Sequence, residues 1–389
     1  MAFIVLYALR ALKIMANILI LGGGFGGVVA AEYLAKQVGE KHQITLISRS
    51  RKFIFYPDLV RVAFGKCKPD DISFDVREAM LDRRIRFIEG EVALVDPYRR
   101  RIIMAHGEVE GEIPYDYLIF APGRRLATEQ IAGFFEHANH LLTPAAALEF
   151  GEVLKGFHEG RAVIGQCPGA RLPVPVYETA FALARLLKES KQNKPVQITI
   201  VSPDPGDFQF DDLKIAPFLR AALEAHDIEY LPGFPIRRVT STAVITGAGH
   251  AMNYDLLMLI PPFRGPGAVT GVGITDDEGY VRVDRTMRVE GVERMYAVGD
   301  CVNFSGPKLG HMAVLQAEVA AENVLLELEG LEAIPAYDHE MMLVIDEGGK
   351  EAIYLHKHLW DAGPAKVKHG RFWSWAKRTH ERYWLDRHA

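Results

Sequence analysis

A chain of 389 residues, 49% apolar and 24% charged, exceeds what one hydrophobic core usually holds and points to about two domains able to bury a large cofactor. A formal net charge of −5, with no basic run interleaved with aromatics in the body, argues against nucleic-acid binding. Cys67, Cys167 and Cys301 are odd in number, widely spaced and outside any C-x-x-C pair, which argues against a disulfide framework and against a zinc or other metal site and fits a reducing cytosol.

The opening MAFIVLYALRALKI, residues 1–14, is apolar but shorter than the ~20 residues that span a bilayer, and it lacks the early basic region and cleavage site of a signal peptide. It reads as an extension ahead of the first strand, with a membrane-touching or packing segment as the other reading. Residues 17–21 then form a short apolar run, 22–27 break it with glycines, 28–36 read as helix and 43–48 as a second strand, which together make one βαβ unit. From 85 to 120 come short strands separated by turn residues, the content of an antiparallel insert, closed by Pro122-Gly123. A second strand-turn-helix-strand unit starts at 162–164, with a helix over 177–188 and strands at 197–202 and 256–260 before Pro261-Pro262. The chain then returns to the first unit through strands at 281–283 and 295–298 and a long helix over 312–328.

The fold expected is α/β, with two Rossmann-like dinucleotide-binding domains. The first takes residues 15–157 and 263–330, the second 158–262, and a C-terminal segment runs over 331–389.

Gly22-x-Gly24-x-x-Gly27 follows a strand and opens a helix. Gly22 permits the tight turn, Gly24 lets the backbone approach a pyrophosphate, and Gly27 allows close packing of a helix whose N-terminus faces the phosphates. Ser48, ending the second strand, stands where an acid usually binds the ribose hydroxyls; a serine can hydrogen-bond only one of them well. Far downstream, Tyr296-Ala297-Val298-Gly299-Asp300 precedes the long helix, and the pair of motifs implies FAD in the first site.

These motifs, with ITLISRSRKFIFYPDL, YDYLIFAPG, PVYETA, LIPPFRGP, AVGDC and GPKLGHM, resemble sulfide:quinone oxidoreductases and the flavoprotein subunit of flavocytochrome c sulfide dehydrogenases over nearly the whole chain. The resemblance implies FAD contacts from Gly22, Gly24, Phe25, Gly26, Gly27, Ser48, Arg49, Val92, Ala121, Pro122, Gly123, Gly299 and Asp300. It also puts Lys308 beside the pyrimidine edge of the flavin, where a cation would stabilise the reduced anionic ring. That family relays electrons through two cysteines, whereas here Leu172 and a residue near Leu343 occupy their positions. Cys167, five residues before Leu172, is the one thiol in the same loop, so it is the candidate for a relocated nucleophile and otherwise a small hydrophobe. Cys301 receives no redox role.

The second unit reads Gly165-Gln166-Cys167-Pro168-Gly169, and Leu172, Pro173 and Pro175 crowd or remove amides where a pyrophosphate would sit, which disfavours NADH. Glu178 matches a glutamate that this family and the related type II NADH dehydrogenases hold near the flavin for proton movement; the alternative is an acid favoured by a helix N-terminus. From Lys366 onward basic residues exceed acidic ones by five and aromatics recur near helical spacing, suiting either an anionic membrane surface or packing on the body or in a homodimer. The expected protein is a flavin-dependent oxidoreductase taking electrons from a small donor, sulfide or another reduced sulfur species, to a quinone, in the cytoplasm or peripherally on the inner face of the cell membrane. An NADH:quinone oxidoreductase and a partner subunit with structural FAD are the other two readings.

Overall fold

The computed structural model describes residues 15–190, 195–205 and 214–389; the extension read at 1–14 lies outside them. Its largest sheet has seven strands in the order Met295–Ala297, Tyr117–Phe120, Asn17–Leu21, Gln43–Ser48, Arg86–Asp96, Arg101–Gly107 and Glu112–Pro114. The first five run parallel, and the last two return antiparallel. Residues 86–88 and 117–120, expected within an antiparallel insert, are therefore parallel strands of the main sheet. Tyr117–Phe120 is wholly buried, as an apolar strand covered on both faces should be.

The helix Phe25–Val38 begins inside the glycine run, three residues earlier than the apolar pattern suggests, because Gly26 and Gly27 are themselves helical and buried. It packs along the long helix Gly310–Leu328, whose alanines at 313, 317, 320 and 321 are buried. A second, four-stranded parallel sheet has the order Ile228–Leu231, Val196–Val201, Gly160–Gln166, Leu256–Ile260. Residues 281–283 make only isolated bridges, to Thr275, Val302 and Val289, rather than the strand expected; Asp276 and Asp284 hold tight turns on either side. The C-terminal segment adds an antiparallel meander, Glu340–Asp346, Ala352–His358 and Lys366–Gly370, followed by the helix Arg371–His388.

That last helix docks by a stripe spaced three and four apart, the polar Ser374, Lys377, Glu381 and His388 with Trp384 among them. Trp384 stacks on Phe53 at 4.5 Å between ring centroids and lies 4.8 Å from Phe25. His388 meets Glu32 at 2.8 Å. The other side carries Phe372, Trp375 and Tyr383, all exposed. The tail therefore packs on the body through one face of this helix and leaves the opposite face uncovered. Among the described residues no helix is long and apolar enough to cross a membrane.

Candidate active site

The carboxyl ends of neighbouring parallel strands set out most of the expected cofactor residues as one rim: Val298-Gly299-Asp300, Ala121-Pro122-Gly123, the glycine turn, and Ser48-Arg49. Ligands of open α/β sheets bind at such a rim. The glycines show which way the cradle opens. A Cβ on Gly22 would lie 2.1 Å from the Ala121 carbonyl oxygen, and one on Gly27 would lie 1.8 Å from the Gly22 carbonyl oxygen, so both positions are closed by backbone. A Cβ on Gly24 would meet no atom within 4 Å. Space is therefore kept in front of Gly24 and nowhere else in the motif, which fits a group pressed against that backbone, as a pyrophosphate would be.

Val92 lies beyond the Ser48–Glu89 pairing on the adjoining strand, at a bulge, half-buried. Arg49 is exposed, with Glu91 at 3.7 Å. Phe25, first residue of the helix, is half-buried against Phe53, Phe55 and Trp384. Gln316 accepts the Gly299 N–H at 2.7 Å and fixes that turn, whose φ is +82°.

Asp300 does not face an empty rim. Arg124, which no local motif marks, bonds its carboxylate and stacks over Phe263 at 4.1 Å. The Arg124 Nε is buried without a hydrogen-bond partner.

Lys308 is buried, 6% exposed. Its Nζ donates to the Val302 carbonyl at 2.5 Å and lies 4.5 Å from the Tyr280 ring, and its backbone N–H donates to Arg171 O at 2.8 Å. Burial, reinforced by the Arg171 charge, pulls its ammonium down to about 7, against the opposing pull of Asp300. A lysine in this state gains or releases a proton near neutrality as charge nearby changes. Asp300, Phe304, Lys308 and His339 share the lining of one pocket.

The loop after the second sheet does not form a dinucleotide turn. Its helix, Val174–Glu189, begins eight residues after the strand ends, with Pro175 in its first turn. Arg171 ties the loop to the Lys308 segment by donating to the carbonyls of Gly306, at 2.9 Å, and Phe304. Cys167 is 0% exposed, among Val163, Val201, Phe234 and Leu259, and burial raises its thiol far above the ordinary range. Leu172 is half-buried and Leu343 buried, both in the main apolar cluster, and neither side chain carries a nucleophile.

Glu178 is 5% exposed and faces the C-terminal helix. Its Oε1 accepts from the Asp346 N–H at 2.8 Å and from Lys377 Nζ at 2.5 Å. Burial raises its carboxyl from 4.5 to about 7, with Lys377 pulling the other way. Arg61 continues the network, donating at 2.8 Å to both Asp58 and Glu381. Glu381 is pushed up to about 8 by burial and by its hydrogen bond with Asp58.

Both raised carboxyls bind protons in the folded chain at pH values where the unfolded chain has lost them. The stability they add is complete below about 4.5 and is lost as pH rises through 7 and 8. Thermal unfolding of the wild type should thus fall in midpoint between pH 5 and 8 relative to a Glu178→Gln/Glu381→Gln variant. Lys308 acts oppositely above pH 7 in both proteins, so it cancels in that difference; equal slopes would show that the carboxyls titrate normally.

Residues 16–317 match the family described as pyridine nucleotide-disulphide oxidoreductase. A sulfide-quinone reductase of Aquifex aeolicus is 26% identical over 334 residues, 80% of this chain and 76% of that one. A type II NADH:quinone oxidoreductase of Staphylococcus aureus is 21% identical over 81% of this chain and 83% of its own. The crystal structure of the sulfide:quinone oxidoreductase from Aquifex aeolicus superposes with a TM-score of 0.88 at 23% identity, covering 96% of this chain and 91% of that one. The fold is that of the two-dinucleotide flavoproteins, and FAD is the cofactor of this chain, an FAD-dependent oxidoreductase. By the match over residues 16–317, the chain belongs to the pyridine nucleotide-disulphide oxidoreductase family.

Proposed function

We propose that the chain passes two electrons from a small reduced-sulfur donor, through FAD, to a quinone. The observation that carries this reading is the loop at 167–175. It is tied down by Arg171 over Lys308 and has no glycine turn, which leaves the rim at Gly24 as the one built dinucleotide cradle among the described residues. A donor without a nucleotide handle fits that arrangement. Oxidation of sulfide to zero-valent sulfur releases two electrons and protons, and quinone takes up two of each to form quinol.

FAD, when bound, supplies a reversible two-electron acceptor between the two. In this proposal Gly22, Gly24, Phe25, Gly26 and Gly27 hold its pyrophosphate end, and Ser48, Arg49 and Val92 lie toward the ribose. Ala121, Pro122, Gly123, Gly299 and Asp300 line the remaining rim. Asp300 would exchange Arg124 for the ribityl hydroxyls. Lys308 holds its proton more firmly as negative charge arrives beside it, a stabilisation that acts on the reduced state. Glu178, sharing its proton with Lys377, moves protons between the buried network and the acceptor side. The exposed Phe372, Trp375 and Tyr383, with the basic surplus of the tail, are assigned to an anionic membrane surface that gives access to quinone; a dimer held by this face would instead show as a doubled mass in sedimentation.

The direct test is quinone reduction in liposomes with sulfide or NADH as donor. Turnover with sulfide alone is expected. Turnover with NADH alone would favour the type II NADH dehydrogenase reading, and no turnover with either, in flavin-loaded protein, the partner-subunit reading. Cys167 has a packing role in this account, so Cys167→Ala should keep sulfide turnover within about twofold and lower stability by at most ~1 kcal/mol, as a small apolar truncation does. Loss of sulfide turnover in that variant, with flavin retained, would restore Cys167 as a nucleophile.

A further inference from the structure

Two neighbouring strands bring two imidazoles and one carboxylate together outside the flavin rim, beside a third imidazole on the long helix. Glu340 opens the strand Glu340–Asp346, and the register pairs it with His358 on Ala352–His358. His356, two residues from His358, points to the same face. One oxygen of Glu340 and one ring nitrogen each of His356 and His358 lie within 4.8 Å of one another, and all three residues are half-buried, so an ion can enter from solvent.

The surroundings prepare these atoms for coordination. Asp338 holds His358 Nδ1 at 2.7 Å, which leaves Nε2 as the lone-pair nitrogen; a carboxylate on the far nitrogen is the usual support of a metal-binding histidine. His356 Nε2 shares a proton with Glu340 Oε1 at 2.5 Å. From the first turn of the helix Gly310–Leu328, His311 Nε2 reaches to 3.7 Å from the other oxygen, Glu340 Oε2, beyond hydrogen-bond reach. That nitrogen is buried and has no hydrogen-bond partner.

We propose that Glu340, His356 and His358 bind a divalent first-row cation of the zinc class, with the fourth position open to water. Two imidazoles and one carboxylate match an open Zn²⁺ site in number and softness and are a poor set for Mg²⁺ or Ca²⁺, which take oxygen ligands. The ion displaces the proton shared by His356 and Glu340, so binding releases a proton. The second group of convergent donors, Glu347, Glu351 and His369, has a single imidazole and serves as the control.

Untagged, chelator-treated holoprotein is titrated with Zn²⁺ by calorimetry in two buffers and with Co²⁺ by visible difference absorbance. The expected result is one equivalent of each, with proton release and tetrahedral Co²⁺ bands. His356→Ala/His358→Ala should weaken binding by at least about 100-fold, more than loss of a supporting partner does, and His369→Ala should leave it unchanged. Because the wild-type stoichiometry and spectrum stand without any variant, misfolding of the double variant does not decide the matter. No bound equivalent in the wild type, or one that survives in a folded double variant, overturns the proposal.

Discussion

Gly24→Val should yield a folded chain that is nearly free of flavin. Gly24 has φ −88° and ψ −168°, an extended conformation open to any L-residue, and its Cβ direction meets no protein atom within 4 Å. The apoprotein therefore loses at most ~1 kcal/mol, the scale of a poorer helix N-cap. The new methyl groups fill the space kept for the pyrophosphate, and FAD affinity should fall at least about 100-fold, equivalent to ~2.7 kcal/mol. Gly27→Ala is the contrasting case, since its Cβ at 1.8 Å from the Gly22 carbonyl oxygen breaks the turn itself. Flavin absorbance of the purified variants, with circular dichroism of the apoproteins, reads both effects. A Gly24→Val protein carrying a full complement of FAD would mean that the cradle is not where the cofactor sits.

Lys377→Met should be among the most destabilising single changes in the chain. Lys377 is the charge that compensates Glu178, and removing one partner of a buried pair typically costs ~3–5 kcal/mol because the other charge is left alone. The loss should shrink as pH falls, because without Lys377 burial raises the Glu178 carboxyl further and the group takes up a proton instead. Glu178→Gln added to Lys377→Met should recover much of the stability at pH 8 and little at pH 5. Denaturant unfolding of the four proteins at both pH values measures this cycle. Additive losses at pH 8 would show that the two groups do not interact across the helix interface.

The contrast between these sites shows what a sequence carries. Gly22, Gly24 and Gly27 are legible because the closeness of backbone to backbone, and of backbone to ligand, demands glycine at fixed local spacing. Asp300 is legible through its strand and helix neighbours. The partners that decide its chemistry, and that of Lys308 and Glu178, are not. Arg124 meets Asp300 across 176 positions, Lys377 meets Glu178 across 199, and Arg171 reaches the carbonyls of Phe304 and Gly306 from over 130 positions away. No local pattern marks these contacts.

The C-terminal meander escaped for a different reason. In Glu340–Asp346 both faces carry apolar residues, although burial alternates strictly along the strand, so the two-residue period is hidden in the composition. The histidines around Glu340 went unread with it, because only the strand register brings them to one place. Residues 281–283 failed in the opposite direction: a Val-Arg-Val pattern suits a strand, but turns at Asp276 and Asp284 leave it only isolated partners.

The central claim, that a small sulfur donor reduces a flavin whose neighbouring second nucleotide crevice is closed, is tested most directly by anaerobic stopped-flow absorbance of the FAD-loaded protein. Sulfide and NADH are mixed with it separately, with the wild type and with Cys167→Ser. The account predicts bleaching of the flavin band by sulfide in both proteins and none by NADH. Bleaching by NADH alone would contradict it, because the loop tied down by Arg171 would then have to admit a dinucleotide.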